Sequence, residues 1–379
     1  MPEAVLVSAL RTPIGTAGRG TLRDTTAFDL ADHVVSAAKE GLDPTQIDDV
    51  ILGEGLYGGG VIARHAAITS GLTTVPGLAM NRHCAAGLAA VQNAAASIRA
   101  GMDELIIAGG VNSASTSPRS RIRVGEQWLD WMSPTHPDRP DAPNRDMSIT
   151  VGWNAALKAG VSGEDMDAWA LRSHRHAIVA IDEGRFKEEI VPIETPHGLF
   201  AVDEHPRRDT SMEKLAKLKV LHPEIEGFSI TAGNACGAND GAAALVVASD
   251  RLGLPALAYV RSWASVGIDP AYTGLAPVEA IPKALNRAGL TVDQVDLFEI
   301  NEAFAAMCVA TIRLLELDQE KVNVSGSGCS LGHPVAATGA RMLVTLVHEL
   351  RRRGGGIGVA AMCAGGGMGS AAVIEVPAP

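Results

Sequence analysis

Gly41-Leu42-Asp43-Pro44-Thr45-Gln46-Ile47-Asp48 recurs without gaps as Gly289-Leu290-Thr291-Val292-Asp293-Gln294-Val295-Asp296. Four of the eight positions are identical, and Ile47 against Val295 is a fifth match in kind. Continued in register, the repeat sets Glu54 opposite Glu302. Later in each half a helix of small residues leads to an apolar strand ending Ala-Gly-Gly, at Ala108-Gly109-Gly110 and at Ala364-Gly365-Gly366. Two repeated segments in the same order predict a duplicated domain. Cys84 precedes the small-residue helix in the first half and His333 precedes it in the second. A pseudo-two-fold axis would bring those two helix starts together.

The elements around the first copy read as strand at residues 4–8, helix at 28–39, strand at 50–52, helix at 85–100 closed by Gly101, and strand at 105–107. This alternation predicts an α/β fold with a largely parallel sheet covered on both faces. Composition changes near Asn112. Residues 113–228 carry Trp128, Trp131, many prolines and a charged run at 203–219, with sparse strand signals and one clear helix at 164–180 capped by Ser162. They read as an inserted, partly irregular subdomain. The α/β pattern resumes at Thr231. The expected division is therefore 1–112 with 238–253, an insertion at 113–237, and a second domain at 254–379. Residues 354–374 are uncharged and long enough to mimic a membrane span, but their eight glycines predict two buried strands joined by a tight turn.

Aromatic residues make up only 4% of the chain against 46% hydrophobic, so the core is built from Ala, Val, Leu, Ile and Gly, which suits helices packed closely on sheets. A formal charge of −11 argues against nucleic-acid binding by the molecule as a whole, though not against a local basic pocket for an anionic ligand. Five cysteines, at 84, 236, 308, 329 and 363, show no metal-type spacing and fit a reduced, cytoplasmic protein with working thiols. No metal site, no signal peptide and no membrane segment is expected, and the Pro-Ala-Pro end is not a peroxisomal address.

Four segments carry chemistry: Cys84; Asn301-Glu302-Ala303-Phe304; Gly332-His333-Pro334; and Cys363-Ala364-Gly365. At a helix start, Cys84 would feel unpaired N–H groups that favour thiolate. Read singly, each segment is equally a buried cysteine, a turn or a packed histidine. Together, one nucleophile, one imidazole, one amide and a second thiol form an acyl-transfer set.

In that order these motifs resemble the thiolase family. Further matches are Arg11-Thr12-Pro13-Ile14-Gly15, Ala108-Gly109-Gly110, Thr231-Ala232-Gly233-Asn234 and Asn239-Asp240-Gly241-Ala242-Ala243, so the resemblance spans essentially the whole chain. It implies a duplicated five-layer αβαβα fold and thiolytic cleavage of a 3-ketoacyl-CoA by CoA. On that resemblance Cys84 is the nucleophile and His333 activates it. His333 and a water on Asn301 form one oxyanion hole, the N–H groups of Cys84 and Gly365 form a second, and Cys363 is the general acid/base. It also implies that Arg207 contacts CoA near its phosphates and that Met147, Ala232, Cys236, Ala303 and Phe304 line its channel. Coenzyme A is a substrate, no cofactor is required, and a homodimer or homotetramer is expected.

Five departures from the family pattern stand out. Ala86 replaces a serine, Cys236 another serine, Asp146 a histidine, Thr273-Gly274 a Met-Gly, and Asn112 an acid. They weaken an acetoacetyl-CoA-specific reading and allow a bulkier or branched acyl chain. Three functions stay open: degradative thiolysis, the same chemistry run as a condensation of two acetyl-CoA, and a poorly catalytic CoA- or lipid-binding relative. A ketoacyl synthase is the nearest rival, and Cys363 ahead of Gly365 argues against it.

Overall fold

The two copies of the repeat fold alike. In the computed structural model, which describes residues 1–55 and 60–378, Gly41 and Gly289 both take the left-handed conformation, with φ of 78° and 70°. A single 3-10 turn follows each, Pro44–Gln46 and Val292–Gln294. The aspartate ending each copy then does the same work. Asp48 N–H donates to Leu105 O at 2.8 Å, while its carboxylate accepts from the Glu104 and Leu105 N–H groups. Asp296 N–H donates to Ile357 O at 2.9 Å and its carboxylate accepts from Ile357 N–H. Each aspartate thereby locks a strand, Asp49–Gly53 or Leu297–Ile300, beside its parallel neighbour, Leu105–Ser113 or Gly356–Ala364.

The main sheet runs in the order Leu297–Ile300, Gly356–Ala364, Met368–Val376, Ala258–Gly267, Ala4–Arg11, Asn239–Ser249, Leu105–Ser113, Asp49–Gly53, Gly77–Met80. Its halves join at Ala4–Arg11 and Ala258–Gly267 through only two register pairs, Val5 with Tyr259 and Leu6 with Ala258. The expectation of a largely parallel sheet is corrected. Three strand pairs are parallel, at the two ends, and the pairs between them are antiparallel. The strand–helix–strand signal sees only the outer pairs. Asn239–Ser249 returns from the insertion, and Met368–Val376 returns through the turn at 365–367, so both run back against their neighbours.

Strand alternation builds the layers. Ala242, Ala244, Val246 and Ala248 pack with the helices Ala27–Ala38 and Ile62–Thr69, whereas Ala243, Leu245 and Val247 face the helices Ala86–Ala100 and Thr338–Arg352. In the other half Val359, Ala361 and Cys363 face Ala276–Ala288 and Ala305–Leu315, while Ala360, Met362 and Ala364 face the same central pair. Helix, sheet, helix, sheet, helix is the result: a five-layer α/β fold. The central helices touch backbone to backbone. A Cβ on Gly87 would fall 2.6 Å from Ala336 O, and a Cβ on Gly110 would meet the same carbonyl. The two helix starts are therefore neighbours.

Between the halves, the helix Gly163–Asp182 forms as expected, with Ser162 and Asp165 in a reciprocal capping box. Two short ribbons were not legible in advance: Ser120–Val124 with Gln127–Trp131, and Ile193–Thr195 with Gly198–Phe200. The helices Ile62–Thr69 and Ala276–Ala288, the latter with Pro282 inside, were also missed. Arg11 moors this region. Its buried guanidinium donates to both carboxylate oxygens of Asp203 at 2.8 Å and to Glu189 at 2.6 Å, and Asp203 also accepts from Ile14 N–H. Among the described residues no helix is long and apolar enough to cross a membrane.

Candidate active site

Cys84 is delivered by a strained turn. His83 has φ 46°, a region that costs a non-glycine residue on the order of 1–2 kcal/mol, and the helix begins three residues later at Ala86. The N–H groups of Gly365 and of Cys84 itself lie close enough to the sulfur to favour its anion. They are the two groups that the resemblance assigns to the second oxyanion hole. The thiolate expected at this helix start is corrected: burial pushes the Cys84 thiol up to about 11, outweighing both N–H contacts.

Gly365 stands at the end of the strand Gly356–Ala364. A Cβ there would meet only ordinary contacts, at 3.5 Å from Thr135, 3.7 Å from Met147 Sδ and 3.9 Å from His83. Packing in the free protein does not demand this glycine. Gly366 and Gly367 are demanded, with φ of 87° and 74°, and Gly367 N–H donates to Thr273 Oγ1 at 2.9 Å. Thr273 therefore ties down the turn that presents Gly365.

Cys363 is buried with its Sγ 3.5 Å from Met307 Sδ. Burial holds its thiol well above the ordinary value, and the Cys84 and Cys236 thiols raise it further. Cys84 likewise raises Cys236, so these three thiols share one neighbourhood.

His333 is held at both ends. Its N–H donates to Asn239 Oδ1 at 2.9 Å, and its Nδ1 lies 2.7 Å from Thr338 Oγ1. Asn239 in turn donates to Gly15 O and accepts at its carbonyl from Asn112 Nδ2, each at 3.0 Å. Asn112, the departure from a family acid, thus supports the histidine from behind. Burial first, and then the Arg341 charge, press the His333 imidazole down to about 3, so it is neutral at pH 7. Asn301 Nδ2 lies 3.4 and 3.5 Å from the two ring nitrogens. Its Oδ1 is buried without a protein partner among the described residues.

Next to Asn301, Glu302 receives Trp169 Nε1, Ser173 Oγ, Asn323 Nδ2 and Cys329 N–H, at 2.6–3.1 Å. Its work is to fix the Asn301 loop. Asn239, Thr338, Met307 and Asn323 all serve the site, yet only Asn239 fell inside a quoted motif.

A cavity of about 640 Å³ leads in from the surface. Arg19, Arg207 and Lys214 edge it, and Ala232, Cys236, Ala238 and Cys329 form its inner wall. Ala238 pairs with His333 in a β-bridge, so the inner wall adjoins the histidine. Lys214 pairs with Asp209, whereas Arg19 and Arg207 make no ion pair among the described residues. His174 and His205 are each pressed down to about 4, chiefly by burial, and stay neutral. Ala303 and Phe304 back the wall rather than form it: Ala303 O accepts from Cys236 N–H at 3.0 Å and Phe304 bridges to Ala235. Met147 lies at the Gly365 turn.

A pattern described as "Thiolase, N-terminal domain" matches residues 4–251, and "Thiolase, C-terminal domain" matches residues 254–376. The chain belongs to the thiolase family. This thiolase is 43% identical to an acetyl-CoA acetyltransferase of Pseudomonas aeruginosa, with 98% of each chain covered. It is 42% identical to the peroxisomal 3-ketoacyl-CoA thiolase A of Rattus norvegicus, over 99% of this chain and 89% of the relative. Among solved structures, the acetyl-CoA acetyltransferase of Bacillus anthracis superposes with a TM-score of 0.91 at 40% identity, covering 99% of both chains. Human mitochondrial 3-ketoacyl-CoA thiolase gives 0.92 at 36%, over 100% of this thiolase and 99% of that chain.

Proposed function

We propose that this thiolase is a working acyltransferase that cleaves a 3-ketoacyl-CoA with CoA, releasing acetyl-CoA and a shortened acyl-CoA. The observation that carries the reading is the Cys84 sulfur enclosed beside the N–H groups of Gly365 and Cys84 and next to a second thiol, Cys363. The thiol and imidazole both rest neutral, so Cys84 loses its proton to His333 as sulfur attacks the C3 carbonyl. The oxyanion that forms is held by the two N–H groups. The C2–C3 bond then breaks and leaves acyl on Cys84 and an acetyl-CoA enolate, steadied by His333 and a water on Asn301. The unpartnered Asn301 Oδ1 is the acceptor such a water needs. Cys363 protonates C2 and later takes the proton of the incoming CoA thiol, which attacks the acyl-cysteine and frees Cys84.

CoA enters by the cavity, its phosphates at Arg19 and Arg207 and its pantetheine arm along Ala232 and Cys236 toward Met147. Ala86 is fully buried in the helix, which fits a packing role for the replaced serine position and favours an active enzyme over a binding relative. The exposed ribbon carrying Trp128, Leu129 and Trp131 supports assembly as a homodimer or homotetramer, which sedimentation will measure. Incubation with acetoacetyl-, 3-ketohexanoyl- and 3-ketohexadecanoyl-CoA, followed by mass spectrometry, tests the function. An acyl adduct on Cys84 and CoA-dependent release are expected. No adduct and no thiolysis across the panel would overturn the enzyme reading.

A further inference from the structure

We infer that Thr338 is a positioning residue that holds the neutral His333 ring with its proton on Nδ1, leaving Nε2 bare to take the Cys84 proton. The inference rests on the reading of His333 as the base. Thr338 Oγ1 lies 2.7 Å from His333 Nδ1 and 2.8 Å from Pro334 O. A carbonyl only accepts, and the hydroxyl has one proton. If Thr338 donated that proton to Nδ1, two oxygens would face each other at 2.8 Å with no hydrogen between them. Both contacts are satisfied only by the relay in which Nδ1–H donates to Oγ1 and Oγ1–H donates to the Pro334 carbonyl.

Among the described residues Thr338 makes the short contact to Nδ1, at 2.7 Å. Asn301 Nδ2 stands farther off, 3.5 Å from Nδ1 and 3.4 Å from Nε2, too evenly placed to select either nitrogen. The hydroxyl itself cannot wander: Thr338 is fully buried in the first turn of its helix, and its N–H donates to the same Pro334 carbonyl at 2.9 Å. With Asn239 holding the His333 backbone, the ring is fixed in orientation and in tautomer. The proton that Nε2 acquires from Cys84 is then the one that later faces the enolate. One tautomer serves both steps.

The test compares Thr338→Val, which keeps the branched shape without the hydroxyl, with Thr338→Ser, which keeps the hydroxyl. His333→Ala is the reference, and the substrate is whichever of the three ketoacyl-CoAs above the unaltered enzyme cleaves fastest. Thr338→Val is expected to lower kcat about 10- to 100-fold with KM for CoA within about twofold, part of the ~10²–10⁴ a general base supplies. Iodoacetamide alkylation of Cys84 should slow in parallel, and Thr338→Ser should keep kcat within about threefold. Thr338→Ala, read the same way, replaces a valine variant that does not fold. If Thr338→Val keeps kcat while His333→Ala loses it, the Thr338 inference falls and the base assignment stands. Equal losses in the serine and valine variants overturn it too, because packing and not the hydroxyl would be at work. A fully active His333→Ala would overturn both readings.

Discussion

Gly87→Ala separates folding from catalysis at the seam between the two halves. Gly87 lies in the first turn after Cys84, and a Cβ there would sit 2.6 Å from Ala336 O and 3.2 Å from Ala340 N. Ordinary contact begins near ~3.4 Å, so the Cys84 helix and the His333–Thr338 turn must separate by about 0.8 Å, the difference between 3.4 and 2.6. No rotamer relieves this, since the opposing atoms are backbone. Overpacking of this kind costs about 1–3 kcal/mol, and alanine in place of a first-turn glycine returns at most about 1 kcal/mol of helix propensity. Net destabilisation should therefore be about 0–3 kcal/mol by urea unfolding. Catalysis has no such compensation. A misplacement approaching 1 Å between nucleophile and base lowers turnover on the order of 10- to 100-fold. The assay is steady-state thiolysis beside a urea melt of the same preparation. A variant that melts like the parent and turns over within twofold of it would refute the argument that the two helix starts share one site.

Three further outcomes are expected. Cys363→Ala should lower carbon–carbon cleavage by about 10²- to 10⁴-fold while acylation of Cys84 by an acyl-CoA stays detectable by mass spectrometry; normal cleavage would remove Cys363 from the acid/base role. Because burial raises the Cys84 thiol to about 11, its alkylation by iodoacetamide in the free enzyme should climb steadily from pH 7 to 9.5, and a plateau near neutrality would mean a preformed thiolate. Arg207→Ala should raise KM for CoA about tenfold with little change in kcat, since an exposed cation at the rim binds substrate and transition state alike; an equal fall in kcat would place Arg207 closer to the chemistry.

The sequence by itself determined the duplication, the order of the four chemical segments and the short elements with strong local signals. Asp48 and Asp296 end the two repeat copies and perform the same strand-locking task, and Ser162 caps its helix through Asp165, because turns and caps are decided within a few residues. Strand direction at the centre of the sheet was not legible, since the returns of Asn239–Ser249 and Met368–Val376 depend on pairings far apart in the chain. Nor were the protonation states. A helix start taken alone predicts a thiolate at Cys84, but only the tertiary structure encloses that sulfur, and removal from water outweighs two local N–H groups. The same enclosure keeps His333 neutral, sets Asn112 and Asn239 behind it, and brings Thr338 to its Nδ1. Local hydrogen bonds follow sequence spacing. Burial and the neighbours of a buried group follow from how distant segments pack.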